Sequence, residues 1–146
     1  MSAVVSVAKA VWEGDLFHGR GNISFGSGAL PSTTVTWAAR SSKVAGMTSP
    51  EELLAAAHAS CFAMALSNIL AKEGKPATKL EVTAEATFAK TDEGFRISQV
   101  NITVVGTVPG MDQASFEKAA EAAGNGCPVS KALKGNVQVK VSARLA

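Results

Sequence analysis

The sequence predicts an α+β protein in which antiparallel sheets wrap around one long central helix. Two observations predict this class. Segments with β-branched or alternating residues lie at both ends of the chain and in its second half, and one long apolar helical segment separates them. The 146 residues suit one domain with its own core, and no repeat, linker or low-complexity segment divides them. We therefore expect a single domain over residues 1–146.

The first forty residues predict three strands joined by turns. The segment AVVSVAKAVWEGD is β-branched and ends in a Gly-Asp turn, and FHGRGNISFGSG carries four glycines that indicate a tight, bent hairpin. A third strand is expected in TTVTWAAR, with Val35 and Trp37 on one face, ending near Arg40. The following SSKVAGMT is expected to be a loop.

The strongest helix signal begins at Ser49. This residue can cap a helix, Pro50 suits the first helical position, and Glu52 completes a capping box. The helix is expected to continue to about Lys72, before Gly74 and a proline. It is apolar over most of its circumference, which predicts burial on several sides by a sheet or a second subunit.

The second half of the chain predicts a hairpin, two helices and a last strand. LEVTAEATFAK alternates apolar and polar residues, TDEG turns the chain, and FRISQVNITVVGTV returns antiparallel. A helix is expected from a cap at Asp112 to Gly124, followed by a short helix in CPVSKALK and a strand in NVQVKVSARL.

Composition and charge exclude several functions. The net charge is +2 and the 14 basic residues are spread along the chain, which argues against nucleic-acid binding. No apolar stretch is expected to reach the ~18 residues of a membrane span. The N-terminal segment lacks a basic region followed by a long apolar core, so no signal peptide is expected and a cytoplasmic location is the default. The hydrophobic share of 47% is typical of a globular protein.

The two cysteines, Cys61 and Cys127, lie 66 positions apart, so they form no C-x-x-C pair. On a helix, Cys61 would stack with Leu54, His58 and Ala65, and a small buried hydrophobe is the commoner interpretation of such a cysteine. Cys127 precedes Pro128 at the start of a short helix, where backbone N–H groups favour a thiolate. An ordinary turn cysteine is an equal alternative, and spacing does not show that the thiols meet.

Longer motifs in the sequence resemble those of a known protein family. The segments NISFGSGAL, AARSSKVAGMTSPEELLAAAHASCFAMALSNIL and GCPVSKAL resemble the OsmC/Ohr family of thiol peroxidases, in its OsmC branch, from Trp12 to the last strand. The resemblance implies that Cys61 attacks the peroxide and that Cys127 resolves the product. It also implies that Arg40, on the strand before the helix, activates the thiolate and that Glu51 orients the arginine. The implied fold is OsmC-like, an interwound homodimer whose sites lie at the subunit interface.

Physical chemistry agrees with these implied roles. Only a thiolate attacks a peroxide oxygen, and a buried thiol needs a nearby cation such as Arg40 to ionise. The resemblance implies an organic hydroperoxide as substrate, a Cys61 sulfenic acid, a Cys61–Cys127 disulfide and reduction by an external dithiol, for which the family suggests a lipoyl protein. No cofactor, nucleic acid or membrane is expected, and the implied role is defence against oxidative or osmotic stress.

Two other functions stay open at this point. Cys61, His58 and Cys127 could supply three ligands to zinc or another ligand in a sensor module, although a packed histidine is the commoner interpretation of His58. A non-catalytic structural dimer would carry inert thiols.

Overall fold

A computed structural model describes all 146 residues of the chain and confirms the α+β class. The residues group into two compact units, Met1–Leu53 and Leu54–Ala146. The assignment of a single domain stays a prediction. In chain order the elements are β1 (Ala8–Glu13), β2 (Arg20–Phe25), β3 (Thr33–Val35), α1 (Trp37–Ser42), α2 (Pro50–Lys72), β4 (Lys79–Thr91), β5 (Gly94–Thr107), α3 (Gln113–Gly126), α4 (Pro128–Leu133) and β6 (Gln138–Leu145).

The first unit contains a three-stranded antiparallel sheet in the order β1-β2-β3. The expected third strand over residues 33–40 is wrong in its second half, because β3 ends at Val35 and a short helix, α1, follows. The cause is local: the Thr36 side chain caps α1 by accepting a hydrogen bond from the Ala39 N–H at 3.1 Å. Trp37 and Arg40 therefore lie on a helix and not on a strand.

The predicted start and end of the long helix are confirmed. The Ser49 hydroxyl accepts from the Glu52 N–H at 3.1 Å, and α2 ends at Lys72 before Gly74 takes a left-handed conformation, with φ of +71°. The Glu52 carboxylate accepts instead from the Thr48 hydroxyl at 2.7 Å. The serine half of the capping box thus operates as expected.

The burial of α2 differs from the expectation. Its buried residues form one stripe along the helix, whereas other positions, such as Met64, are exposed. The stripe comprises Glu51, His58, Phe62, Leu66 and Leu70. A helix with exposed apolar positions leaves surface that a second subunit could cover.

The hydropathy of α2 also corrects an expectation. By length and composition this helix is apolar enough to cross a membrane, with a mean hydropathy of 1.6 over its best window. The core helix of a soluble protein meets the same criterion. In the second unit Phe62, Leu66 and Leu70 are completely buried in the core cluster that also contains Val100 and Phe116, so this stripe of α2 belongs to the core, while 22% of the apolar window as a whole is buried.

The second unit has a mixed sheet in the order β4-β5-β6. Strands β4 and β5 form the predicted antiparallel hairpin, with a register shift at residues 87–88. The expectation of purely antiparallel sheets is wrong for β6, which pairs parallel to β5. The cause is the intervening helical connection of α3 and α4, which carries the chain back before β6 begins.

Helix α3 begins as predicted and ends later. The Asp112 side chain accepts from the Ser115 N–H at 2.9 Å and so caps the helix. The expected end at Gly124 is wrong by two residues, because helical hydrogen bonding continues to the Cys127 N–H, which donates to the Ala123 carbonyl at 2.8 Å. Pro128 then begins α4.

Candidate active site

In the first unit, Arg40 and Glu51 form a two-pronged ion pair. Arg40 Nη2 donates to Glu51 Oε1 at 2.8 Å, and Nε donates to the same oxygen at 3.0 Å and to Oε2 at 3.3 Å. The Glu51 side chain is 7% exposed and that of Arg40 is 34% exposed. Helix α1 presents the guanidinium, and the first turn of α2 presents the carboxylate. The pair therefore holds a guanidinium in a fixed orientation with part of its surface accessible.

In the second unit, the two thiols lie side by side. Cys61 is on α2 and is half-buried, whereas Cys127 lies between α3 and α4 and is completely buried. Each thiol affects the ionisation of the other through a side-chain hydrogen bond, and both cysteines are free. Two residues far apart in sequence are thus within reach of one another, which spacing alone left open.

The pKa of the Cys61 thiol is raised. Burial is the main cause, and the neighbouring Cys127 thiol raises the pKa further. The backbone N–H of Val129 acts in the opposite direction and offsets only part of the rise. Within the second unit, Cys61 is therefore the thiol that keeps its proton.

The pKa of the Cys127 thiol is lowered. Burial by itself raises the pKa, but hydrogen bonds from Cys61, from the backbone and hydroxyl of Ser130 and from the Val129 N–H together outweigh it. These N–H groups belong to the first turn of α4 and influence the sulfur without forming a regular capping hydrogen bond. This environment favours the thiolate interpretation of Cys127, which the sequence left level with an ordinary turn cysteine.

His58 and Ser130 form a second buried pair beside the thiols. His58 Nε2 lies 2.7 Å from Ser130 Oγ, and both residues are buried. Burial lowers the pKa of His58, so the imidazole is neutral near pH 7. Ser130 was not among the expected site residues. The available signal was its position three residues after Cys127, at the third position of the short helix.

The zinc alternative is wrong on present geometry. The chain contains no group of three or more His, Cys, Asp or Glu side chains that could hold a metal ion. Cys61, His58 and Cys127 do not form such a group, and His58 directs Nε2 to a serine hydroxyl. The observed arrangement is a thiol pair with a neutral histidine nearby.

Comparison with known proteins defines the class of the chain. Residues 43–142 match the model of the OsmC-like protein family, and the chain belongs to this family. It is 40% identical over 129 residues to the peroxiredoxin OsmC of Escherichia coli K12, covering 88% of this chain and 90% of the relative.

Solved structures agree with this membership. The organic hydroperoxide resistance protein OhrB of Bacillus subtilis superposes with a TM-score of 0.75 at 27% identity, covering 94% of this chain and 98% of OhrB. An organic hydroperoxide resistance protein OsmC from Legionella pneumophila superposes with a TM-score of 0.75 at 26% identity, covering 98% of each chain. The OsmC-like fold that the resemblance implied is thus confirmed. The structure of a single chain does not test the expected homodimer.

Proposed function

We propose that the protein is a thiol peroxidase that reduces organic hydroperoxides to alcohols in bacterial stress defence. The observation that carries the proposal is the adjacency of Cys61 and Cys127, which shift each other's pKa within one core cluster and so support a disulfide within one chain. Relatives named peroxiredoxin OsmC and organic hydroperoxide resistance protein support the reaction class.

In the first step, the Cys61 sulfur attacks the outer oxygen of the hydroperoxide. Cys61 is the attacking thiol because Cys127 has no exposed surface, whereas Cys61 is half-buried. The O–O bond breaks, the sulfur becomes a sulfenic acid, and the departing alkoxide takes a proton to give the alcohol. Because burial raises the pKa of Cys61, this step requires a cation near the sulfur.

We assign this cationic role to Arg40, with Glu51 as its positioning residue. A guanidinium stays protonated at every relevant pH, and its planar fork can hold a carboxylate and also interact with a thiolate or a peroxide. The 2.8 Å ion pair between them supports a fixed orientation. Arg40 serves the Cys61 of its own subunit or of a partner, and mixed dimers of Arg40→Gln and Cys61→Ser subunits distinguish these routes.

In the second step, the Cys127 thiolate attacks the Cys61 sulfenic sulfur. The S–S bond forms, and the hydroxyl group leaves as water after protonation. A dithiol of the lipoyl type then reduces the disulfide by two exchanges, regenerating both thiols and forming its own cyclic disulfide. The lowered pKa of Cys127 supports this role, because the attacking form is the thiolate.

The active form in this proposal is a homodimer. All six residues of β1 are exposed, including Val11 and Trp12, and Met64 on α2 is 67% exposed. Apolar side chains in such numbers favour burial against a second copy. Light scattering coupled to gel filtration should report twice the chain mass of 14.9 kDa.

The test of the chemistry is an intact-mass measurement after one equivalent of cumene hydroperoxide. We expect the unaltered chain to lose two hydrogens and gain no oxygen, the Cys127→Ser chain to gain one oxygen at Cys61, and the Cys61→Ser chain to stay unchanged. Dihydrolipoamide should restore the reduced mass. Retention of full peroxide consumption in Cys61→Ser would contradict the assigned attack.

A further inference from the structure

His58 is completely buried, yet the proposed peroxidase steps do not use it. Its Nε2 has a partner, Ser130 Oγ at 2.7 Å, whereas its Nδ1 has none. Buried histidine nitrogens are normally satisfied, so an unpartnered Nδ1 in the interior needs a physical explanation. The explanation lies in which nitrogen carries the proton.

Two tautomers are compatible with the 2.7 Å contact. If Nδ1 carried the proton, a buried N–H donor would have no acceptor, and such orphaned donors are rare. If Nε2 carries the proton, the donor points at the Ser130 oxygen and only a lone pair on Nδ1 is left without a partner. The geometry therefore favours the Nε2–H tautomer, with His58 donating and Ser130 accepting.

The Ser130 hydroxyl then has its own proton free to donate elsewhere. A hydroxyl carries one donor and two acceptor sites, and one acceptor site is occupied by His58. Cys127 is the N-cap residue of the same short helix, three residues before Ser130, and the Ser130 side chain is among the groups that lower the pKa of its thiol. With His58 donating to Ser130, a donation from the Ser130 hydroxyl to this sulfur would run in the same direction, from imidazole to hydroxyl to sulfur.

We propose that His58 and Ser130 form a buried chain of hydrogen-bond donors that holds the Ser130 hydroxyl toward Cys127 and stabilises its thiolate. They are positioning residues for the resolving thiol, and this role rests on the proposed peroxidase function. His58 acts as a neutral donor, so no proton leaves it during turnover. Ser130 stabilises the Cys127 thiolate, and His58 holds the Ser130 side chain in one rotamer.

Other ionisable groups do not account for the same effect. Apart from Ser130, the one side chain that shifts the pKa of the Cys127 thiol is Cys61, which lowers it. The charged residues of α3 and α4 are exposed and are not among the groups that shift it; they are Glu117, Lys118, Glu121 and Lys131. The donors from Cys61 and α4 therefore constitute the stabilising environment.

The first test titrates Cys127 in a Cys61→Ser background by thiolate absorbance near 240 nm. His58→Gln keeps an N–H donor where Nε2 lies, whereas His58→Asn has an amide too short to reach Ser130. We expect Ser130→Ala and His58→Asn to titrate at higher pH, and Ser130→Thr and His58→Gln to titrate close to the reference. Unchanged titration in the folded Ser130→Ala and His58→Asn chains would overturn the proposal.

A second measurement follows the resolving step in chains that retain Cys61. Loss of a hydrogen bond to an ion lowers the thiolate population roughly tenfold, and the higher nucleophilicity of a more basic thiolate offsets part of this. Rapid-quench mass spectrometry should therefore show disulfide formation slowed roughly threefold in Ser130→Ala. Formation of the sulfenic acid should keep its rate. Equal slowing of both steps would contradict a role confined to Cys127.

A third measurement needs no substitution in the site. Nitrogen-15 NMR of the unaltered reduced protein distinguishes the histidine tautomers, and exposed His18, the other histidine, serves as the internal comparison. We expect His58 to carry its proton on Nε2, and a proton on Nδ1 would overturn the donor chain even if variants failed to fold. None of the equilibrium measurements uses peroxide, so absent peroxidase activity with the expected titrations would reject only the proposed function.

Discussion

Removing the charge of Glu51 isolates the contribution of the Arg40 ion pair. Glu51→Gln keeps the shape of the side chain but replaces a carboxylate that accepts hydrogen bonds at 2.8, 3.0 and 3.3 Å. Hydrogen bonds to charged groups contribute about 1.5–3 kcal/mol when buried. Because Arg40 is 34% exposed, solvent screening lowers this to about 1–2 kcal/mol. For a chain of this size the melting temperature should fall by roughly 3–6 °C.

Glu52→Gln is a matched control for this measurement. Glu51 and Glu52 are adjacent in the first turn of α2, so both interact with the helix dipole to a similar extent. The exposed Glu52 accepts from the Thr48 hydroxyl and has no arginine partner, so its loss should change stability by less than about 0.5 kcal/mol. The difference between the two variants therefore reports the pair with Arg40.

The same two variants test the assigned role in catalysis. A guanidinium without its carboxylate loses its orientation, and misplacement of a catalytic group costs roughly a hundredfold in rate. Stopped-flow reduction of cumene hydroperoxide should show that loss in kcat/KM for Glu51→Gln and near-normal activity for Glu52→Gln. Equal stability and equal rates in the two variants would refute the reasoning.

Three further predictions concern pH, packing and metals. Burial lowers the pKa of His58, so as pH falls below about 6.5 the unfolded chain binds a proton that the folded chain does not, and stability decreases. In thermal melts, His58→Gln should therefore show a smaller loss of stability with falling pH. A loss equal to that of the exposed His18→Gln variant would contradict this. A Cβ at Gly106 would overlap the buried Phe116 ring, so Gly106→Ala should destabilise the protein by about 1–3 kcal/mol in urea titrations. Gly126→Ala is the control, because a Cβ there meets no other atom. Equal unfolding midpoints for the two variants would argue against the overlap. Because no three-residue metal group exists, treatment with a chelator should leave peroxide consumption unchanged, and activity restored by zinc would count against this.

The elements that the sequence predicted well have local causes. The helix from Ser49 depends on a cap and on Pro50, and the start of α3 depends on the Asp112 side chain, so both follow from a few neighbouring residues. Strand β4 follows from alternation over one continuous segment. Helix α1 also has a local cause, the Thr36 cap, but the residues on either side of that cap, Val35 and Trp37, match a strand equally well.

The features that the sequence could not predict depend on distant segments. The parallel pairing of β6 with β5 requires the path of α3 and α4, which spacing does not determine. The adjacency of Cys61 and Cys127 follows from that same packing, and only the family resemblance indicated it in advance. Ser130 stands out because its hydroxyl contacts His58, a residue 72 positions earlier in the sequence. No local pattern therefore distinguishes it from an ordinary helix serine.

The environments of the two thiols suit different steps of the proposed reaction. Ionisation favours Cys127, which has several donors, whereas access favours Cys61, because Cys127 has no exposed surface. A buried thiol with a lowered pKa that a peroxide cannot reach is protected from oxidation, and ionisation prepares it to attack a neighbouring sulfenic sulfur. The accessible thiol, in contrast, keeps its proton in the second unit because burial and the neighbouring thiol raise its pKa. In the proposed mechanism, fast attack on peroxide therefore requires a cation near the Cys61 sulfur, and this requirement is the physical reason for proposing Arg40 in that role.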